Sequence, residues 1–232
     1  MKTPTFYGVG IGPGDPELIT LKAARVLEQV DVVLHPQGKH GSFAARILEP
    51  LGLTAKLQPI SLCMSRQREN DENVYEQTAR QIVSRLRDNQ SVAWVTQGDP
   101  LFYSTFDHLM VAVRRLDPAS HIEIIPGVSS LHAASARTGL PLCRLGERVA
   151  VVPASYGLDD LPALLERFTT VVLVKVNAVL DRLAEELPRY PHVQAVYVEK
   201  AGTTEERIVT DVASLKGQES SYFSLILLRH ET

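Results

Sequence analysis

The chain has 232 residues, with 24 Lys and Arg against 27 Asp and Glu, a net charge of −3 and 44% hydrophobic residues. That supplies core for one large domain or two small ones. The near-neutral balance argues against a basic nucleic-acid-binding face and against an acidic partner-binding tail.

Cys63 and Cys143 form no C-x-x-C pair and fit a reducing compartment. No apolar run approaches the ~18 residues that a membrane span requires. Met1 to Pro4 leads straight into a strand with no apolar signal core. The expectation is a cytoplasmic protein with neither a membrane nor a nucleic-acid partner.

Thr5 to Ile11 forms the first predicted strand. The turn Gly12-Pro13-Gly14-Asp15-Pro16 follows, with Asp15 as helix cap and Pro16 at the first helical position. A helix is expected from about Glu17 to Gln29, with Leu18, Leu21, Ala24, Val26 and Leu27 facing inward. Asp31 to His35 is a strand, Ser42 to Leu51 a helix, and Lys56 to Ile60 a weaker strand. The polar run Leu62 to Asn73 is expected as an exposed loop entering a helix from Glu72 to Asp88.

Ser91 to Thr96 is short, β-branched and aromatic, a buried strand that breaks at Gly98-Asp99-Pro100. Ser104 or Thr105 then caps a helix ending near Leu116. His121 to Ile125 is a strand, Pro126-Gly127-Val128-Ser129-Ser130 a turn, and Leu131 to Thr138 a helix. Alternating strand and helix implies a mostly parallel sheet, whose ligands bind at the carboxyl ends of its strands.

The second half has strands at Val149–Val152, Thr170–Lys175 and His192–Glu199, with helices at Leu158–Arg167 and Asn177–Leu187. Two further strands, Glu206–Thr210 and Tyr222–Leu228, have little helix between them, so this sheet should be mixed. The fold class is therefore α/β in two domains, 1–143 with a mostly parallel sheet and 144–232 with a mixed sheet.

Three glycine or serine turns follow three strands of the first half, at Gly10–Asp15, Gln97–Pro100 and Pro126–Ser130. They fail the G-x-G-x-x-G test, because the third glycine position is Pro13 counted from Gly8 and Asp15 counted from Gly10. No P-loop, H-E-x-x-H, G-x-S-x-G or zinc ligand cluster occurs, and no metal site is expected. Nicotinamide and nucleoside-triphosphate chemistry are both poorly supported.

In order along the chain stand Gly10-Ile11-Gly12-Pro13-Gly14-Asp15-Pro16, Gly98-Asp99-Pro100, Pro126-Gly127-Val128-Ser129-Ser130, Glu199-Lys200-Ala201-Gly202-Thr203 and a last strand near Tyr222–Leu228. Together they resemble the tetrapyrrole (corrin/porphyrin) methyltransferases, class III S-adenosylmethionine-dependent enzymes, over essentially the whole chain. Gly98 to Thr105, with Leu62 to Arg66 upstream, resembles the branch that methylates C20 of precorrin-2 or cobalt-factor II in cobalamin synthesis.

The resemblance implies a homodimer, a tetrapyrrole substrate, and a cofactor folded into the cleft between two α/β domains. S-adenosylhomocysteine is the implied product. The implied cofactor contacts are Pro13, Gly98, Asp99, Phe102, Ser129, Ser130, Val176, Asn177, Ala201, Gly202, Thr203, Ser224 and Leu225. Gln97 departs from the family, where a second glycine often precedes Gly-Asp-Pro.

Arg66, Arg68, Arg144 and Arg148 are candidates for the substrate's carboxylates, since the guanidinium fork matches that geometry. No firm catalytic residue is named; Tyr103 is an orienting candidate, with core packing as its other role. The alternatives are other methyltransferases of this fold, acting on uroporphyrinogen III at C2 and C7 or in diphthine synthesis, and a non-catalytic binder of an adenosyl ligand.

Overall fold

The computed structural model describes residues 3–38, 41–61 and 68–230, with the side chains of all but 68–72 and 157. The chain forms two compact units, Met1–Ser129 and Ser130–Thr232.

In the first unit, β1 (Thr5–Gly10) is buried along its whole length. The helix expected to start at Glu17 is interrupted. Asp15 caps only a single 3-10 turn, Pro16–Leu18, accepting from the Glu17 amide at 2.9 Å. The chain restarts at α1 (Leu21–Gln29), where Thr20 accepts from the Ala23 amide at 3.1 Å. Two caps five residues apart cannot serve one helix. The restart turns Ala23 and Leu27 inward and leaves Leu21 85% exposed, against expectation.

β2 (Val32–Gln37) leads to α2 (Phe43–Leu48), capped by Ser42. Among the described residues β3 (Leu57–Ser61) pairs with β2 alone, an edge position that tolerates Pro59. α3 (Arg68–Arg87) begins four residues before the expected Glu72. The polarity of its first turn reads as loop, and the buried stripe of Ala79, Ile82, Val83 and Leu86 begins only within the expected helix. β4 (Val92–Thr96), α4 (Phe106–Leu116) and β5 (His121–Ile125) complete the unit. Ser104, not Thr105, accepts from the first α4 amide.

The sheet is parallel throughout, in the order β3-β2-β4-β1-β5. The chain steps one way from β1 to β2 to β3, then back through β4 to β5. Right-handed crossovers therefore lay α1 and α2 on one face and α3 and α4 on the other. The core divides accordingly. Val9, Val33 and Val95 pack with α1 and α2, whereas Phe6, Leu34 and Trp94 pack with α3 and α4. Gly8 of β1 leaves room for the Phe106 ring, since a Cβ there would lie 2.3 Å from it.

The second unit opens with α5 (Ser130–Thr138), followed by β6 (Val149–Pro153) and the short helix α6 (Ala154–Gly157). Next come α7 (Leu161–Arg167), β7 (Thr170–Val174), α8 (Leu180–Glu186), β8 (Val193–Glu199), β9 (Arg207–Val209) and β10 (Ser224–His230). The sheet order is β6-β7-β10-β8-β9, with β6 and β7 parallel and the other pairs antiparallel, the mixed sheet expected from sequence. The helix expected at Asn177 opens instead as a 3-10 turn, Val176–Val179.

This unit includes the connection ahead of β6, tied down by Arg229 of β10. The guanidinium is 5% exposed and donates to both Glu147 oxygens at 2.7 and 2.8 Å. It also donates to Thr170 Oγ1 at 2.8 Å and to the Pro141 carbonyl at 3.2 Å. Among the described residues no helix is long and apolar enough to cross a membrane.

Candidate functional site

The connections after the neighbouring strands β1 and β4 leave to opposite faces of the parallel sheet. Such a switch point leaves a crevice outside the carboxyl ends of the strands. The sequence places glycine there from three strand ends. A Cβ on Gly10 would lie 2.6 Å from both the Gly127 nitrogen and the Gly98 carbonyl oxygen. One on Gly127 would lie 2.3 Å from that same oxygen. Three backbones thus touch with no side chain between them.

Hydrogen bonds lock the junction. The Gly98 amide donates to the Gly12 carbonyl at 2.8 Å, and the Ile11 amide to the Thr96 carbonyl at 3.0 Å. Asp99 uses its two oxygens separately. Oδ1 accepts from the Leu101 amide at 2.9 Å and Oδ2 from the Gly127 amide at 3.1 Å. An amide side chain has one acceptor oxygen and could serve only one of the two. Asp99 therefore shapes its own turn and anchors the turn after β5.

Gln97 also takes part, which motif reading missed. Its Nε2 donates to the Pro13 carbonyl at 2.6 Å, tying the first turn to the second. Its Oε1 is buried and, among the described residues, has no hydrogen-bond partner; Thr96 Oγ1 is likewise unpartnered. The only sequence signal was the departure from glycine at this position.

Pro13, Gly98, Asp99 and Gln97 are thus brought together, and buried Ser129 ends the third turn. Phe102 and Tyr103 stand just past Asp99, 37% and 46% exposed, with ring centroids 4.9 Å apart in an edge contact. The exposure of Tyr103 rules out the core-packing role. Its backbone is left-handed, at φ 51°, an unfavourable conformation for a bulky residue.

In the second unit, two lysines turn the chain at the ends of the two strands that flank β10. Lys175 after β7 and Lys200 after β8 are left-handed, at φ 58° and 49°. Their amides donate to successive carbonyls at the start of β10, Lys175 to Ser224 at 3.0 Å and Lys200 to Phe223 at 2.8 Å. Val176 and Asn177, Ala201 to Thr203, and Ser224 and Leu225 are thereby gathered at one end of this sheet. Ser130 opens α5 in the same unit.

Tyr197 is buried beside this end and donates its hydroxyl to Glu199. Burial first, and then the Glu199 carboxylate, push its phenol far above the usual range, so it stays protonated. In the first unit, burial holds His35 below its ordinary value of 6.5.

Arg144 and Arg148 lie elsewhere in the second unit. They precede β6, at the end of the sheet opposite Val176 and Ala201. Arg148 stacks over the Phe168 ring at 5.8 Å, and the Arg144 amide donates to Glu147. Arg68 opens α3, but its side chain lies outside the description; Arg66 and Cys63 lie outside the described residues altogether. Among the described residues no three His, Cys, Asp or Glu side chains are placed to hold a metal ion.

Residues 5–216 match the model of the tetrapyrrole (corrin/porphyrin) methylases. The cobalamin biosynthesis protein CobIJ of Mycobacterium tuberculosis is 34% identical over 97% of this chain, which spans only 46% of that longer relative. The precorrin-2 C(20)-methyltransferase of a Sinorhizobium species is 31% identical over 96% of this chain and 94% of its own length. Among solved structures, the uroporphyrin-III C-methyltransferase of Thermus thermophilus in complex with S-adenosylhomocysteine superposes with a TM-score of 0.70. It is 28% identical, over 97% of this chain and 92% of that one. The chain belongs to the tetrapyrrole methylases, enzymes that take their methyl group from S-adenosylmethionine.

Proposed function

We propose that this protein methylates C20 of a tetrapyrrole on the route to cobalamin, with precorrin-2 or cobalt-factor II as the acceptor. The observation that carries the choice of C20 is the end-to-end similarity to the precorrin-2 C(20)-methyltransferase. The family resemblance extends the proposal to a cytoplasmic homodimer.

The residues present fit an adenosyl ligand. Gly10 and Gly127 meet the Gly98 carbonyl in a floor of bare backbone that a Cβ on either would disrupt, and the oxygen of Gln97, unpartnered among the described residues, is a spare acceptor beside it. Pro13, Gly98, Asp99, Phe102 and Ser129 would hold the cofactor from the first unit. Ser130, Val176, Asn177, Ala201 to Thr203, Ser224 and Leu225 would hold it from the second. When bound, S-adenosylmethionine supplies an electrophilic methyl on a positively charged sulfur.

The work left to the chain is alignment. Fixing two reactants in line can lower a barrier by several kcal/mol, up to roughly 7–11 in favourable cases. Asp99 serves this by holding two turns in register through its two oxygens. Tyr103, exposed and conformationally strained beside that turn, is proposed to orient the macrocycle. Arg66, Arg68, Arg144 and Arg148 are the proposed partners of its carboxylates; Arg144 and Arg148 precede β6, at the end of the second sheet opposite Val176 and Ala201. The proton lost from C20 passes to water or to a nearby side chain.

The test is a paired incubation of the protein and S-adenosylmethionine with metal-free precorrin-2 and, separately, with cobalt-factor II. The expected result is a mass gain of one methyl on at least one of them, and the preferred acceptor defines the aerobic or the anaerobic route. No gain on either would defeat the proposal.

A further inference from the structure

Glu206 closes the segment that returns from β8 towards β9, and its side chain is only 9% exposed. One carboxylate oxygen accepts from the Gly202 amide at 2.7 Å. The other accepts from Arg137 Nε at 2.8 Å. A carboxylate this far from water needs such partners, and charge-assisted bonds of this length are strong ones.

The segment is otherwise bound to itself. The Thr203 amide donates to the Lys200 carbonyl, and the Glu206 amide to the Thr203 carbonyl, each at 3.1 Å. These bonds set its curl. Lys200 and Gly202 both lie in the left-handed region, at φ 49° and 78°. Such a turn holds its shape only where its surroundings enforce it. Arg137 stands in the last turn of α5, so the carboxylate joins the curl to that helix.

We infer that Glu206 is a positioning residue for S-adenosylmethionine. Its two oxygens fix Ala201 to Thr203 and α5 as one piece, and it does not itself touch the ligand. The inference rests on the cofactor reading given above. Sequence patterns could not show it, because Glu206 and Arg137 are 69 residues apart.

The test is Glu206→Gln. The amide keeps one acceptor oxygen and turns donors toward the second partner. S-adenosylhomocysteine affinity, measured by titration calorimetry, should weaken about tenfold, the scale of one charge-assisted bond. KM for S-adenosylmethionine should rise in parallel, while kcat at saturating cofactor stays within about twofold, as expected when uniform binding is lost.

Arg137→Gln is a second variant, at a side chain 58% exposed. It keeps the Gly202 bond and should weaken binding less, with Arg137→Lys restoring most of the affinity. Wild-type affinity in Glu206→Gln, whether or not its melting temperature falls, would overturn this inference alone. A wild-type chain that binds no S-adenosylhomocysteine would overturn the cofactor reading and this inference with it.

Discussion

Gly127→Ala is expected to weaken cofactor binding sharply and to destabilise the first unit. The new Cβ would lie 2.3 Å from the Gly98 carbonyl oxygen and 2.8 Å from the Gly10 Cα. Both obstacles are backbone, so no flexible side chain can swing aside. Relief requires β1, β4 and β5 to part at their carboxyl ends, which also pulls the Gly127 amide from Asp99. Forced overpacking costs about 1–3 kcal/mol. Loss of the Asp99 bond adds roughly another 1 kcal/mol. The two together predict a lower urea midpoint and, where the distortion falls on the cofactor floor, an affinity loss of roughly 30- to 1,000-fold by calorimetry. A variant that binds S-adenosylhomocysteine as the wild type does would show that the glycine junction is not the cofactor floor.

Arg229→Met is the second large effect, and it acts on stability. Methionine fills much of the space but supplies none of the donors. It strands Thr170 Oγ1, the Pro141 carbonyl and the Glu147 carboxylate around a buried position. Leaving the buried Thr170 hydroxyl without its donor is expected to cost about 1–3 kcal/mol. The loss is also pH-dependent. The bond from Arg229 is the main force holding the Glu147 carboxyl below its ordinary value of 4.5. A carboxyl lowered in the folded state stabilises the fold above its ordinary value. That contribution fades as pH falls through the lowered one. The gap between wild type and variant should therefore be full at neutral pH and narrow in acid, as read by urea unfolding across the acid range. A gap that stays constant with pH would show that the Glu147 pair is not what the substitution breaks.

How much of this was visible in the sequence depends on the range of the forces involved. Strands and turns were legible because local rules set them. Ser91–Thr96 is apolar and β-branched, and Gly98-Asp99-Pro100 cannot continue a strand. Helix limits were less legible where two local signals compete. Asp15 and Thr20 are both good caps, and only packing of Ala23 and Leu27 decides which one starts the helix. The start of α3 was hidden by its charges, since a polar run carries no periodic signal until its buried stripe begins.

The candidate site divides in the same way. Its glycines and Asp99 stood out as turn residues. The tasks of Gln97 and Glu206 were not legible, because each acts through a bond to a residue distant in sequence, Pro13 and Arg137. Arg144 and Arg148 were nominated by their guanidinium chemistry and their place in the chain near the domain boundary. Charge does not say which end of a sheet a side chain occupies, and these two precede β6.

The position of the transferred methyl tests the central claim most directly. The wild-type protein would be incubated with S-adenosylmethionine carrying a carbon-13-labelled methyl and with the preferred acceptor, and the product examined by carbon NMR. One labelled methyl bonded to C20 of the macrocycle is the predicted result. A labelled methyl on any other carbon, or no labelled macrocycle from protein that binds S-adenosylhomocysteine, would contradict C20 methylation.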